Sequence, residues 1–131
     1  MEKKLLLGIG IDLVEHGRFA DWVIGRKKNV FTSDELDFVT NDDKSNEDKN
    51  LANFWAARGA ALKALGASFG TDITYKDISV KYDATGTPSL LLTGGAQTVL
   101  KSLTKGKKVS VHLSITDQSE FSAAVVFIET L

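Results

Sequence analysis

The sequence predicts an α+β fold, with an antiparallel sheet packed against one long and several short helices. Three observations carry that expectation. Val109, Val111, Leu113 and Ile115 alternate with Ser110, His112, Ser114 and Thr116; a turn at Asp117 to Glu120 follows, and Phe121 to Ile128 is an apolar final strand. Leu51, Phe54, Trp55, Leu62 and Leu65 form an apolar stripe at helical spacing, stopped by Gly66. Helices and hairpins are mixed along the chain, with no repeating strand–helix unit.

The remaining elements follow from local pattern. In Leu5 to Val14, Ile9, Ile11 and Leu13 alternate with Gly8, Gly10 and Asp12, which predicts a strand with one acid at its end. Phe19, Trp22 and Val23 predict a short helix within His16 to Arg26. Phe31-Thr32-Ser33-Asp34-Glu35-Leu36 has the form of a capping box with a hydrophobic staple, opening a helix that runs to about Val39. Thr40 to Lys49 is polar throughout and is expected as an exposed loop. Ile73 to Asp83 is expected as a strand, Asp83 to Pro88 as a turn, and Leu90 to Leu92 as the returning strand. Ala96, Val99, Leu100 and Leu103 mark a further helix, ended by Gly106.

The 131 residues, 43% of them hydrophobic, fit one domain over 1–131 with a real core. A net charge of −1 gives no basic excess of the kind nucleic-acid binding needs. The absence of cysteine excludes disulfides, thiolate zinc sites and cysteine nucleophiles, and suits the cytoplasm. The start, Met1 to Ile9, imitates a signal peptide, but Asp12 interrupts it and no small-residue cleavage site follows. No apolar stretch is long enough to cross a membrane.

Several residues are candidates for chemistry. Asp12, an acid on a strand, needs a partner, solvent or a cation; a turn or capping role is the plain alternative. His112 stands on the polar side of its strand beside Ser110 and Ser114, where a histidine serves as acid, base or phosphate contact, or is simply half-exposed. Lys63 ends a row of small residues, Ala52, Ala56 and Gly59, beside the apolar stripe. Gly59 is the odd member, because a mid-helix glycine costs about 1 kcal/mol relative to alanine. Close approach of another backbone explains it, as does a site that has lost a side chain. Arg26-Lys27-Lys28, with Arg18 nearby, is the densest basic cluster: either a solvated face or a dock for an acidic partner.

In their order along the chain, these segments resemble the holo-acyl-carrier-protein synthase family of phosphopantetheinyl transferases. The resemblance runs from Gly8-Ile9-Gly10-Ile11-Asp12 with Glu15 and Arg18, through Phe31-Thr32, Glu35-Leu36 and the helix Trp55 to Gly66. It continues through Asp77 to Val80, Asp83 with Gly86 and Pro88, and Val111 to Thr116, and ends at Ala123 to Val126. It implies transfer of the phosphopantetheine arm of coenzyme A to a serine of an apo acyl carrier protein, with magnesium, by a homotrimer whose sites lie between subunits. By resemblance, Asp12 is a magnesium ligand, Lys63 contacts the phosphates, and His112 belongs to the nucleotide site with Ser114 beside it. Gly86 and Pro88 border the coenzyme, and Arg18 meets the carrier protein, with Arg26, Lys27 and Lys28 as further docking residues.

The chain departs from the family pattern in three places. Arg58-Gly59-Ala60 stands where the family reads Lys-Glu-Ala, so the second metal ligand is missing while Arg58 keeps a positive charge toward the coenzyme. Asp117 replaces a second histidine and is the nearest candidate for a substitute ligand. Thr87 replaces a lysine. Restoring glutamate at position 59 is therefore expected to lower the magnesium requirement. The rival expectation is a non-catalytic module that retains only the carrier or coenzyme surface.

Overall fold

The computed structural model describes residues 3–70 and 72–131; the first two residues of the signal-like start lie outside them. A three-stranded antiparallel sheet has the order β1 (Leu6–Glu15), β5 (Phe121–Thr130), β4 (Val109–Gln118), and a separate hairpin pairs β2 (Ile78–Tyr82) with β3 (Pro88–Leu92). The helices are α1 (Ile24–Val30), α2 (Ser33–Asn41), α3 (Glu47–Leu65) and α4 (Gly94–Thr104). Helix α3 packs on the inner face of the larger sheet. Leu51, Phe54, Ala57 and Ala61 are buried against Val126 and Ile128 of β5 and Ile78 of β2. Each fully buried large apolar side chain contributes about 1.5–3 kcal/mol.

The strand at Leu6–Glu15 forms as expected, but its facing is the reverse of a simple apolar-in reading. Gly8, Gly10, Asp12 and Val14 face α3, while Ile9, Ile11 and Leu13 are 56%, 65% and 65% exposed. The cause is close approach. The inner face of β1 meets the α3 main chain at Ala60 and Ala64, and only glycine leaves room there. The apolar residues share the outer face with Phe121, Ala123, Val125 and Phe127 of β5.

The helix expected within His16 to Arg26 divides in two. A 3-10 turn spans His16–Phe19, Val23 is extended, and α1 begins at Ile24. Phe19 and Trp22 are both buried, with ring centroids 4.9 Å apart. Their three-residue spacing suits a tight turn, and Gly17 and Gly25 weaken a continuous helix. The expected polar loop is shorter than its composition implied: α2 runs to Asn41, a 3-10 turn covers Lys44–Asn46, and α3 starts at Glu47. Before β2, Tyr75–Asp77 is a 3-10 turn capped by Thr74 rather than strand.

The capping box at Thr32 and Glu35 is present, and Glu35 does more than cap. It is fully buried and ion-paired with Arg58, whose guanidinium is also fully buried.

Candidate functional site

Asp12 and Lys63 meet where β1 passes beneath the C-terminal turn of α3. Lys63 Nζ donates to the Ile11 carbonyl at 2.9 Å and lies 3.3 Å from Asp12 Oδ1. The lysine side chain is 58% exposed and the aspartate 22%, so the pair lines the surface and its ammonium can leave for a ligand. A cation in the last helical turn is also favoured by the helix dipole. Gly59 stands one turn before Lys63 with the Asp12 carboxylate against its Cα.

The register places His112 elsewhere. On the outer face, Ile9, Phe127 and His112 lie in one row, and Ile11, Val125 and Ser114 in the next. His112 Nε2 is 3.0 Å from Glu129 Oε1, with both side chains partly exposed. Asp12 and Lys63 are on the opposite face, so within one chain β5 separates the two halves of the expected site.

Gly86 and Pro88 belong to the turn between β2 and β3, which is preset by Asp83. Its Oδ1 accepts from the Thr85 amide, the Thr85 hydroxyl and the Thr87 amide at 2.7–2.9 Å. The Thr85 hydroxyl bond, followed by the Thr87 amide bond, holds the Asp83 carboxyl below its ordinary range. Gly86 supplies the left-handed φ of 85° that the turn requires.

Arg58 does not face a ligand. Its exposure is 0%, and the guanidinium is committed to Glu35 and to three main-chain carbonyls. The charge read as kept for the coenzyme is spent inside the core. Asp117 does not reach Asp12. It lies two strands away and one inner-face row further along, about 12 Å from strand spacing and rise. Asn53 Nδ2 donates to its Oδ2 at 3.3 Å. The Tyr82 hydroxyl is pushed above its usual range by burial first, then by the nearby Asp117 and Glu35 carboxylates. Among the described residues, no three acidic, histidine or cysteine side chains cluster as a metal cage.

The basic cluster is partly engaged. Arg18 lies over the Trp55 ring at 4.6 Å and Arg26 over Trp22 at 3.9 Å, both exposed. Lys28 is exposed as well. Lys27 is bound to Glu47 at 2.9 Å and is withdrawn from the docking face. One polar chain escaped the sequence reading. His16 Nε2 meets Ser122 Oγ at 3.0 Å, Ser122 Oγ donates to Asn53 Oδ1 at 2.5 Å, and Asn53 reaches Asp117. The only signals were Asn53 within an apolar helix and Ser122 within an apolar strand.

The 4'-phosphopantetheinyl transferase superfamily model matches residues 8–126. The holo-[acyl-carrier-protein] synthase of Treponema denticola is 39% identical over 127 residues, covering 95% of this chain and 99% of that one. The chain belongs to the holo-acyl-carrier-protein synthase family. The Bacillus subtilis synthase is 32% identical, covering 97% of this chain and 98% of that one. A crystal structure of the Bacillus anthracis synthase in complex with CoA (3',5'-ADP) superposes with a TM-score of 0.78 at 28% identity. That match covers 96% of this chain and 98% of the other. The synthase from Neisseria meningitidis, at 24% identity and a TM-score of 0.80, has the same fold. Among the described residues, no helix of this synthase family member is long and apolar enough to cross a membrane.

Proposed function

We propose that this protein transfers the 4'-phosphopantetheine arm of coenzyme A to a serine of an apo acyl carrier protein, with magnesium, in the cytoplasm. The observation that carries the reading is the Asp12–Lys63 pair at the β1–α3 contact, in a chain matching holo-acyl-carrier-protein synthases along nearly its whole length. Lys63 swings from the Ile11 carbonyl to a pyrophosphate oxygen. That movement frees Asp12, whose lone carboxylate fits a magnesium ion, since magnesium is commonly held by one or two carboxylates plus substrate phosphates and water. When bound, the ion neutralises the pyrophosphate and stabilises charge on the leaving group. The serine oxygen bonds to the phosphorus that carries the pantetheine arm. The bond from that phosphorus to adenosine 3',5'-bisphosphate breaks, and the hydroxyl proton passes to solvent. Transfer to apo carrier protein, read by mass across a magnesium series, tests the reading. Binding of coenzyme A or carrier with no transfer at any magnesium concentration would overturn it in favour of a non-catalytic module.

The division of the site between two sheet faces supports assembly. A nucleotide site combining His112 and Ser114 with Asp12 and Lys63 requires two copies of the chain, and the exposed outer-face residues Ile9, Ile11, Leu13, Phe121 and Phe127 offer an apolar contact surface. We take the assembly to be a homotrimer. Light scattering is expected to give three times the chain mass. Ile11→Asp is expected to give a smaller species that binds coenzyme A weakly although Asp12 and Lys63 are intact. A monomeric natural protein with full activity would remove the shared site.

Arg18, Arg26 and Lys28, beside the exposed Val23 and Ile24, form a basic rim around apolar residues suited to an acidic amphipathic helix of the carrier. Carrier affinity is expected to fall as salt rises, because exposed charges are screened over about 10 Å at 0.1 M. Arg18→Glu should lower it further. Titration by calorimetry checks both, and affinity indifferent to salt and to Arg18→Glu would refute this docking face.

A further inference from the structure

The hydrogen bonds that join His16, Ser122, Asn53 and Asp117 have a direction, and it is fixed from one end. The Asp117 carboxylate can only accept, so Asn53 turns Nδ2 toward it, at 3.3 Å, and presents Oδ1 to Ser122. Ser122 has one hydroxyl hydrogen and commits it to that oxygen. The Ser122 oxygen is left as an acceptor, so His16 Nε2, 3.0 Å away, is the donor. Ser122 and Asn53 are 0% and 6% exposed, which makes the middle of the chain a fixed point of the core. It ties β5, α3 and the end of β4 to His16, the residue that follows β1.

What His16 carries gives the chain a use. It opens the 3-10 turn His16–Phe19, in which Arg18 stands. No side-chain cap holds the start of that turn. Two bonds hold it instead: the His16 amide donates to the Glu120 carbonyl at 2.8 Å, and the ring donates to Ser122. The far end is held by Phe19, 1% exposed and packed on Trp22, Phe31 and Trp55. Arg18 lies between the two ties, with its guanidinium over the Trp55 ring. Trp55 is two residues beyond Asn53 on α3, so the helix that anchors the chain also carries the ring on which Arg18 rests.

We propose that His16 is a positioning residue: by donating from Nε2 into the Ser122–Asn53–Asp117 chain, it sets the 3-10 turn so that Arg18 is held over Trp55 for the carrier protein. The inference rests on the reading of Arg18 as a carrier contact. It gives Asp117 a task away from the metal, as the acceptor that orients the whole chain.

The test pairs His16→Leu, which cannot donate, with His16→Gln, whose side-chain amide can. The assembled protein is labelled at its three arginines and read by nuclear magnetic resonance, where the Trp55 ring should shift the Arg18 side-chain protons to high field. His16→Leu is expected to lose most of that shift and to bind apo acyl carrier protein about threefold or more weakly, with coenzyme A affinity unchanged. His16→Gln should keep the shift and stay within about twofold of the natural carrier affinity. The double variant Arg18→Ala/His16→Leu should bind carrier no more weakly than Arg18→Ala, because both changes act through one side chain. Natural shift and affinity in His16→Leu, equal losses in His16→Gln and His16→Leu, or effects that add in full would overturn the proposal. Should His16→Leu fail to fold, Ser122→Ala, which removes the acceptor, is expected to show the same two losses, and natural values there would overturn it. If Arg18→Ala leaves carrier affinity unchanged, the docking reading of Arg18 has failed. The seating of its side chain is then decided by the ring shift alone.

Discussion

Glu35→Ala is expected to destabilise the fold by about 3–5 kcal/mol, because it strands a buried arginine. The Arg58 guanidinium has five N–H donors, and the structure occupies all of them. Nε donates to Tyr75 O at 3.0 Å, Nη1 to Glu35 Oε2 at 2.9 Å and Phe54 O at 3.3 Å, and Nη2 to Val30 O at 3.2 Å and Glu35 Oε1 at 2.5 Å. Glu35 in turn accepts from the Thr32 amide and hydroxyl and from the Val80 amide. The pair therefore ties the end of α1, the start of α2, the middle of α3, the turn before β2 and β2 itself. Arg58→Lys should also be damaging, since a lysine has three donors and no planar fork. Joint replacement, Glu35→Leu/Arg58→Met, should recover much of the loss, as apolar pairs of similar volume often match buried ion pairs. Urea denaturation of the three variants measures this. Equal stability of Glu35→Ala and the natural protein would mean that water or a neighbour satisfies Arg58.

Lys63→Ala is expected to slow transfer by about 10²–10³-fold, the range for removing one preorganised group that stabilises transition-state charge. Its melting temperature should hardly move, because an exposed ion pair contributes about 0–1 kcal/mol. That combination separates a lost phosphate contact from a damaged fold. Initial rates read by mass, alongside thermal melts, give the result. Activity within a few-fold of the natural protein would remove Lys63 from the phosphate site.

Local pattern made α3 legible, because a long stripe and a stop at Gly66, which adopts φ 67°, are both written within one segment. The capping box was legible for the same reason. The facing of β1 was not, since Gly8 and Gly10 look like gaps in an apolar strand until α3 is laid on them. Arg58 was misread because its partner lies 23 residues earlier and already had a local explanation as a helix cap. Asp117 was offered to the metal by its place in a motif, but register, which no single segment encodes, sets it two strands from Asp12. The pairing of Asp12 with Lys63 spans 51 residues and was reached through the family pattern rather than through any local signal.

The contact of Gly8 and Gly10 with the α3 main chain has a consequence for how the protein tolerates change. Where two backbones touch, their separation does not depend on which side chains fill the interior elsewhere. The distance from β1 to the last turn of α3 is then set by van der Waals contact between two main chains, which side-chain changes elsewhere alter little. Mutations that loosen the aromatic cluster around Phe19, Trp22 and Phe31 can erode the lifetime of the folded state while each surviving molecule keeps Asp12 and Lys63 at the same spacing. Durability and aim are set by different parts of the chain, and only the second is written in glycine.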